Sequence, residues 1–116
     1  MKTILVADDD LAILEAMQML LEDDGYDVIT TANGKDVKKL CGKKPDLVFL
    51  DIWMSGIDGK VICRQIKEDP ATSEIPVVMF SANRDTKEIS LECGADDFIL
   101  KPFEIKDLLA LVHKYV

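Results

Sequence analysis

Short apolar runs rich in β-branched residues alternate with amphipathic stretches five times along the chain, and this alternation constrains the fold more than any other feature. The runs are Thr3 to Ala7, Tyr26 to Thr31, Leu47 to Leu50, Pro76 to Phe80 and Phe98 to Leu100. The last amphipathic stretch sets Ile105, Leu108, Leu109, Val112 and Val116 on one helical stripe. The first does the same with Ile13, Met17 and Leu20 beside Leu14 and Leu21, and is expected to stop near Asp24-Gly25, where glycine accepts the left-handed backbone that ends a helix. Weaker helical periods run over Asp36 to Leu40, Gly59 to Lys67 and Thr86 to Cys93. Strands regularly separated by helices predict an α/β protein whose parallel sheet is covered on both faces. The unbroken apolar run Leu47-Val48-Phe49-Leu50 agrees, because parallel strands are buried on both sides. Right-handed crossovers leave few arrangements. The expectation is a doubly wound five-stranded sheet of order 2-1-3-4-5 with five flanking helices. At 116 residues the chain suits a single domain, 1–116, built on one sheet.

In sheets of this kind a ligand binds beyond the carboxyl ends of the strands, near the point where strand order reverses. The residues there are polar. Strand one runs into Asp8-Asp9-Asp10, strand three into Asp51, strand four into Ser81 and strand five into Lys101-Pro102. Strands one and three are neighbours in the expected order, so Asp8, Asp9 and Asp51 converge. Clustered carboxylates raise one another's pKa unless a cation relieves them, and a hard divalent ion such as Mg²⁺ accepts oxygen ligands. Ser81 offers a hydroxyl to an anion, and Lys101 a mobile charge for a carboxylate or a phosphoryl oxygen. A carboxylate nucleophile beside cations suits phosphoryl transfer. Each piece alone has a plainer reading, since acidic residues favour helix N-termini for capping and dipole reasons. Their joint occurrence at four strand ends carries the argument.

The net charge of -8 argues against a nucleic-acid footprint, which needs a basic stripe. Lys35, Lys38, Lys39, Lys43 and Lys44 are outnumbered by acidic residues over the chain as a whole. No apolar stretch is long enough to span a bilayer, and no signal-peptide pattern opens the sequence, so a cytoplasmic protein is expected. Cys41, Cys63 and Cys93 form no metal-ligand pattern and read as small buried residues in a reducing compartment. His113 stands alone, which leaves a histidine-based catalytic pair or metal site without support.

Over nearly its whole length the sequence resembles the receiver domain of two-component response regulators, in the manner of a chemotaxis regulator. The residues that carry the resemblance are Ile4-Leu5-Val6-Ala7-Asp8-Asp9-Asp10, Pro45 to Met54, Ile57-Asp58-Gly59, Ile75 to Ala82 and Gly94 to Phe103. It implies a flavodoxin-like topology with Asp51 as phosphoacceptor, phosphorylated in a Mg²⁺-dependent reaction by a sensor histidine kinase or a histidine phosphotransfer protein. Asp9 and Asp51 would hold Mg²⁺ directly, Asp8 mostly through water, and the backbone carbonyl of Trp53 would complete the protein ligands. Ser81 would bind a phosphoryl oxygen, Lys101 would bridge carboxylate and phosphate, and the Lys101-Pro102 bond would be cis. Phe98 stands at the switch-aromatic position and would turn inward once Ser81 moves. The surface of the fourth helix, fifth strand and fifth helix would then signal to a downstream protein that the sequence does not name. Such a domain is no enzyme in the ordinary sense, since it supports only its own phosphorylation and autodephosphorylation.

Two departures from the family pattern stand out. Ser55 replaces the usual proline, which leaves the loop after the phosphoacceptor less stiff. The segment from Ser81 to Gly94 is short for a fourth helix. The resemblance implies that Trp53 and Asn83 stand where the family tunes water access and hence the lifetime of the phosphoryl group. A tryptophan there either shields the site or simply packs over it. Because the chain stops soon after the last helix, it fits a complete single-domain regulator or a piece of a longer protein. Other readings remain: a haloacid-dehalogenase-type phosphatase using Asp8 and Asp10, a degenerate receiver acting as a constitutive interaction module, and an FMN-binding domain. The phosphatase reading leaves Asp51-Ile52-Trp53-Met54 unexplained, the degenerate reading needs a missing ligand, and the flavin reading lacks a phosphate-cradling loop.

Overall fold

The computed structural model describes every residue except Met1 and Ser55. The chain runs β1 (Thr3–Ala7), α1 (Leu11–Asp23), β2 (Asp27–Thr31), α2 (Val37–Cys41), β3 (Leu47–Asp51), β4 (Trp53–Met54), β5 (Ile57–Asp58), α3 (Gly59–Glu68), β6 (Val77–Ser81), α4 (Thr86–Cys93), β7 (Asp97–Leu100) and α5 (Ile105–Tyr115). Five of the strands form a parallel sheet in the order β2-β1-β3-β6-β7, which is the expected 2-1-3-4-5 when sheet strands alone are counted. The remaining two form a small antiparallel hairpin pairing Trp53 with Asp58 and Met54 with Ile57. Sequence periodicity did not foresee this hairpin, because two-residue strands are too short to show alternation.

Alternate strand residues serve opposite faces of the sheet. Leu5, Val48, Leu50, Val77 and Met79 pack towards α2, α3 and α4. Ile4, Val6, Phe49, Val78 and Phe80 pack towards α1 and α5. Because both faces are covered, every residue of β3 is buried, as the unbroken apolar run predicted. Phe49 and Phe80 meet edge to face with centroids 6.1 Å apart, and a fully buried aromatic of this kind contributes about 2–3 kcal/mol.

Local chemistry sets the element boundaries. Asp10 caps α1 by accepting from the N–H groups of Ala12 and Ile13. Gly94 ends α4 at φ 80, a left-handed conformation that glycine takes without strain. β6 begins at Val77 rather than Pro76, which has no N–H to give the ladder. β3 and β6 each extend one residue beyond the apolar run, to Asp51 and Ser81, so that both polar residues belong to the ladder itself. The fourth helix has eight residues, and α2 has five, entered through a 3₁₀ turn at Gly34–Asp36. The three cysteines are buried free thiols. Among the described residues no helix is long and apolar enough to cross a membrane.

Candidate functional site

The carboxyl ends of β1, β3, β6 and β7 meet at one edge of the sheet, and the three consecutive aspartates after β1 are divided there among different tasks. Asp8 extends the strand, its N–H donating to the Thr31 carbonyl at 3.2 Å, and only 1% of its surface is exposed. The Asp10 N–H donates to Asp8 Oδ1 at 2.9 Å, while the Asp10 carboxylate is engaged by the first turn of α1. Asp9 is exposed. Across the strand boundary lies Asp51, at the end of β3, with 8% of its surface exposed. Asp8, Asp9 and Asp51 each present a carboxylate oxygen within 4.8 Å of the others'.

Lys101 lies 93 residues from Asp8 in the chain and reaches it from the end of β7. Its Nζ is 2.6 Å from Asp8 Oδ2 and 3.8 Å from Asp51 Oδ1, and lies 4.6 Å from the centroid of the Phe80 ring. The lysine therefore sits on Asp8 more closely than on the proposed acceptor. One cation against two buried carboxylates leaves negative charge uncompensated. Burial, and then the charge of Asp8, push the Asp51 carboxyl from 3.8 up to about 6, against the opposing pull of Lys101. The Lys101-Pro102 bond is cis, as expected.

Ser81 pairs in register with Leu100, and its carbonyl accepts from the Lys101 N–H at 2.9 Å, so hydroxyl and ammonium are carried on adjacent strand ends. Its Oγ accepts from the Asn83 N–H at 3.1 Å. Asn83 is exposed, and its Oδ1 accepts from the Asp85 N–H at 2.8 Å, which orders the approach to α4. Trp53 follows Asp51 in the hairpin, paired with Asp58, and 59% of its surface is exposed. Ser55, the departure noted in this loop, lies outside the described residues. Phe98 is half-buried on β7, against the core that β6 shares with α3 and α4, and lines a cavity of about 280 Å³ bordered by Ser90, Leu91 and Ala95. His113 lies far from the cluster, with its Nε2 2.8 Å from Asp24 Oδ2, tying α5 to the end of α1.

Sequence reasoning assigned no role to two residues that shape this site. Gly59 donates its N–H to the Ile52 carbonyl, and a Cβ there would collide with the carbonyl oxygens of Asp51 and Ile52. The return of the chain from the hairpin into α3 thus passes so close to the acceptor strand that only glycine fits. Phe80 contributes the ring that flanks Lys101. The Asp58-Gly59 pair carried a signal, since Asp58 caps α3 by accepting from the Lys60 N–H at 2.9 Å. Nothing local in the sequence marks Phe80.

The set as a whole consists of three hard oxygen donors, a half-buried lysine and a strand-end hydroxyl. Such a set can hold a small divalent cation and an anion side by side, and can present a carboxylate as nucleophile.

The response regulator receiver domain profile matches residues 4–113. The DNA-binding response regulator MtrA of Mycobacterium tuberculosis is 39% identical over 116 residues, covering 95% of this chain and 48% of that protein. The chain thus spans about half the length of the curated relatives it matches. A putative response regulator from Chloroflexus aurantiacus superposes with a TM-score of 0.92 at 31% identity, over 98% of this chain and 96% of that one. The receiver domain of the sensor histidine kinase PA1611 from Pseudomonas aeruginosa, solved with a magnesium ion in its active site cleft, shares the fold with a TM-score of 0.90. It is 22% identical, over 98% of this chain and 96% of that one.

Proposed function

This chain belongs to the response regulator receiver domain family, and from that premise we propose that Asp51 accepts a phosphoryl group from a phosphohistidine in a Mg²⁺-dependent reaction. The observation that carries the reading is the convergence of Asp8, Asp9 and Asp51 within 4.8 Å beside the Lys101 ammonium. The donor set fits the metal, since three carboxylate oxygens face one lysine and leave negative charge that a divalent cation would offset; burial first, and then the charge of Asp8, already hold the Asp51 carboxyl above its ordinary value. Asp9 and Asp51 would hold Mg²⁺, with Asp8 through water and the Trp53 carbonyl as the fourth protein contribution; when bound, the ion neutralises charge on the transferring group.

The chain's own residues perform the rest. An Asp51 carboxylate oxygen attacks phosphorus as the bond to the donor imidazole breaks, and the histidine departs. Lys101, already between Asp8 and Asp51, turns its ammonium towards the new phosphoryl oxygens. Ser81 releases the Asn83 N–H and donates its hydroxyl to another of them. Its movement frees space behind β6, and Phe98 rotates in from its half-buried position. Shifting such an equilibrium from mostly off to mostly on takes about 5 kcal/mol of preferential stabilisation. A new phosphoryl charge with charge-assisted donors supplies interactions of that size.

The altered face of α4, β7 and α5 signals to a downstream protein, and the phosphoryl donor is a sensor histidine kinase or a histidine phosphotransfer protein. The chain acts as one receiver domain, 1–116, in the cytoplasm, without contacting nucleic acid or membrane itself. A phosphatase reading that uses Asp10 as acid and base loses its support, because that carboxylate caps α1.

Intact-mass spectrometry after incubation with Mg²⁺ and acetyl phosphate tests the proposal. One added phosphoryl group is expected, absent from Asp51→Asn and absent without Mg²⁺. Addition that survives Asp51→Asn would assign the acceptor to another residue, and no addition to a folded, Mg²⁺-binding chain would reduce the site to a degenerate one.

A further inference from the structure

The opposite flank of the sheet carries a second feature that phosphoryl chemistry does not use. β2 is an edge strand, paired among the described residues with β1 alone. The Asp27 N–H donates to the Lys2 carbonyl and the Thr31 carbonyl accepts from Asp8, so residues 27, 29 and 31 direct their backbone groups at β1. Because backbone groups alternate along a strand, Val28 and Thr30 direct theirs out of the sheet's open edge. In the edge strand Asp27-Val28-Ile29-Thr30-Thr31 the one charged residue, Asp27, stands at the start, and residues 28 to 31 hold no charge and no proline to blunt the edge. With only five residues, α2 leaves a groove of about 360 Å³ beside it. Ile29 and Leu40, both half-buried, give the groove an apolar floor, and Thr30, Lys39 and Lys43 line it with Asp36.

The charge of this flank is opposite to that of the molecule. Lys35, Lys38, Lys39, Lys43 and Lys44 fall within ten residues against the single acid Asp36, in a chain of net charge -8. Lys38 is held by Asp69 and Lys44 by the Ala71 carbonyl. Lys39 and Lys43 are exposed and pair with no carboxylate among the described residues. An open backbone edge, an apolar floor and two uncommitted ammonium groups match an extended peptide that is acidic and carries a β-branched residue.

We propose that the β2–α2 groove docks an extended acidic segment of a partner protein, which adds as a strand along Val28 and Thr30, places an apolar side chain over Ile29 and Leu40, and pairs its carboxylates with Lys39 and Lys43. A polyanionic nucleic acid fits less well, since it makes no use of the backbone edge or of the apolar floor. This inference does not depend on phosphorylation of Asp51, and its residues lie outside the carboxylate cluster.

The test is a titration of ¹⁵N-labelled chain at low ionic strength with the capped peptide Glu-Glu-Val-Thr-Val-Glu-Glu, followed by amide shifts and hydrogen exchange. Saturable shifts centred on Val28, Thr30, Lys39 and Lys43, with slowed exchange of the Val28 and Thr30 amides, are expected. Replacing Lys39 and Lys43 together by Glu should weaken binding about tenfold or more, while acetyl phosphate labelling of the variant stays unchanged. Absence of these shifts overturns the proposal, as does equal binding of a peptide with lysine in place of glutamate. Equal or stronger binding of an oligothymidylate of matched charge, with no protection of the strand amides, would assign the groove to polyanions and overturn it too.

Discussion

Replacing Asp51 by Asn should make the metal-free protein more stable, although it destroys the proposed acceptor. The Asp51 carboxyl is raised from 3.8 to about 6 by burial and by Asp8. Its native pKa exceeds its unfolded one, so stability is fully present below about pH 4 and is lost as pH rises through about 6. Above that, holding the anion in the folded state costs roughly two pH units at about 1.4 kcal/mol each, or about 3 kcal/mol. Asn keeps the shape and removes the charge, and its amide can accept from the Ile52 N–H that now serves the carboxylate. In a domain of this size about 3 kcal/mol moves Tm by roughly 10 °C. The assay is thermal and urea denaturation in chelator across pH. The two curves should coincide near about pH 4 and separate progressively, with the variant above, until about pH 7. Adding Mg²⁺ should raise the native chain more than the variant, because the variant lacks a ligand. A variant no more stable than the native chain at neutral pH in chelator, or a gap that widens towards acid, would refute the electrostatic account of the site.

Three further outcomes follow from the geometry. Lys101→Ala should slow labelling of Asp51 by acetyl phosphate by at least about tenfold and raise the pH at which the acceptor ionises, because its nearest counter-charge is gone; an unchanged pH profile of labelling would contradict this. Gly59→Ala should cost more than about 2 kcal/mol of stability in urea and lower labelling as well, since its Cβ would push on the Asp51 carbonyl, whereas a cost under half a kilocalorie would mean the turn relaxes freely. Asp10→Ala should cost about 1 kcal/mol through the lost cap on α1 while labelling persists, and loss of labelling in a folded variant would show that Asp10 takes part in the chemistry.

Much of the fold was legible because it rests on local signals. The buried run of β3, the stripes of α1 and α5, and Asp51, Ser81 and Lys101 at strand ends are all patterns within a few residues. Together with the handedness of crossovers they imply the sheet order and the edge at which chemistry gathers. What the sequence by itself determined was therefore which groups share that edge. Only the tertiary structure decided how they divide the work: Lys101 lies closer to Asp8 than to Asp51, Asp10 is committed to a helix cap, and Trp53 is largely exposed. It also set the short α2, foreseen at about five residues, beside the β2 edge so that Lys39 and Lys43 line the groove between them. The physical reason is one of range. Hydrophobic period and capping act between residues a few positions apart, whereas ammonium-to-carboxylate distances and groove shapes depend on how elements far apart in the chain come to rest against one another.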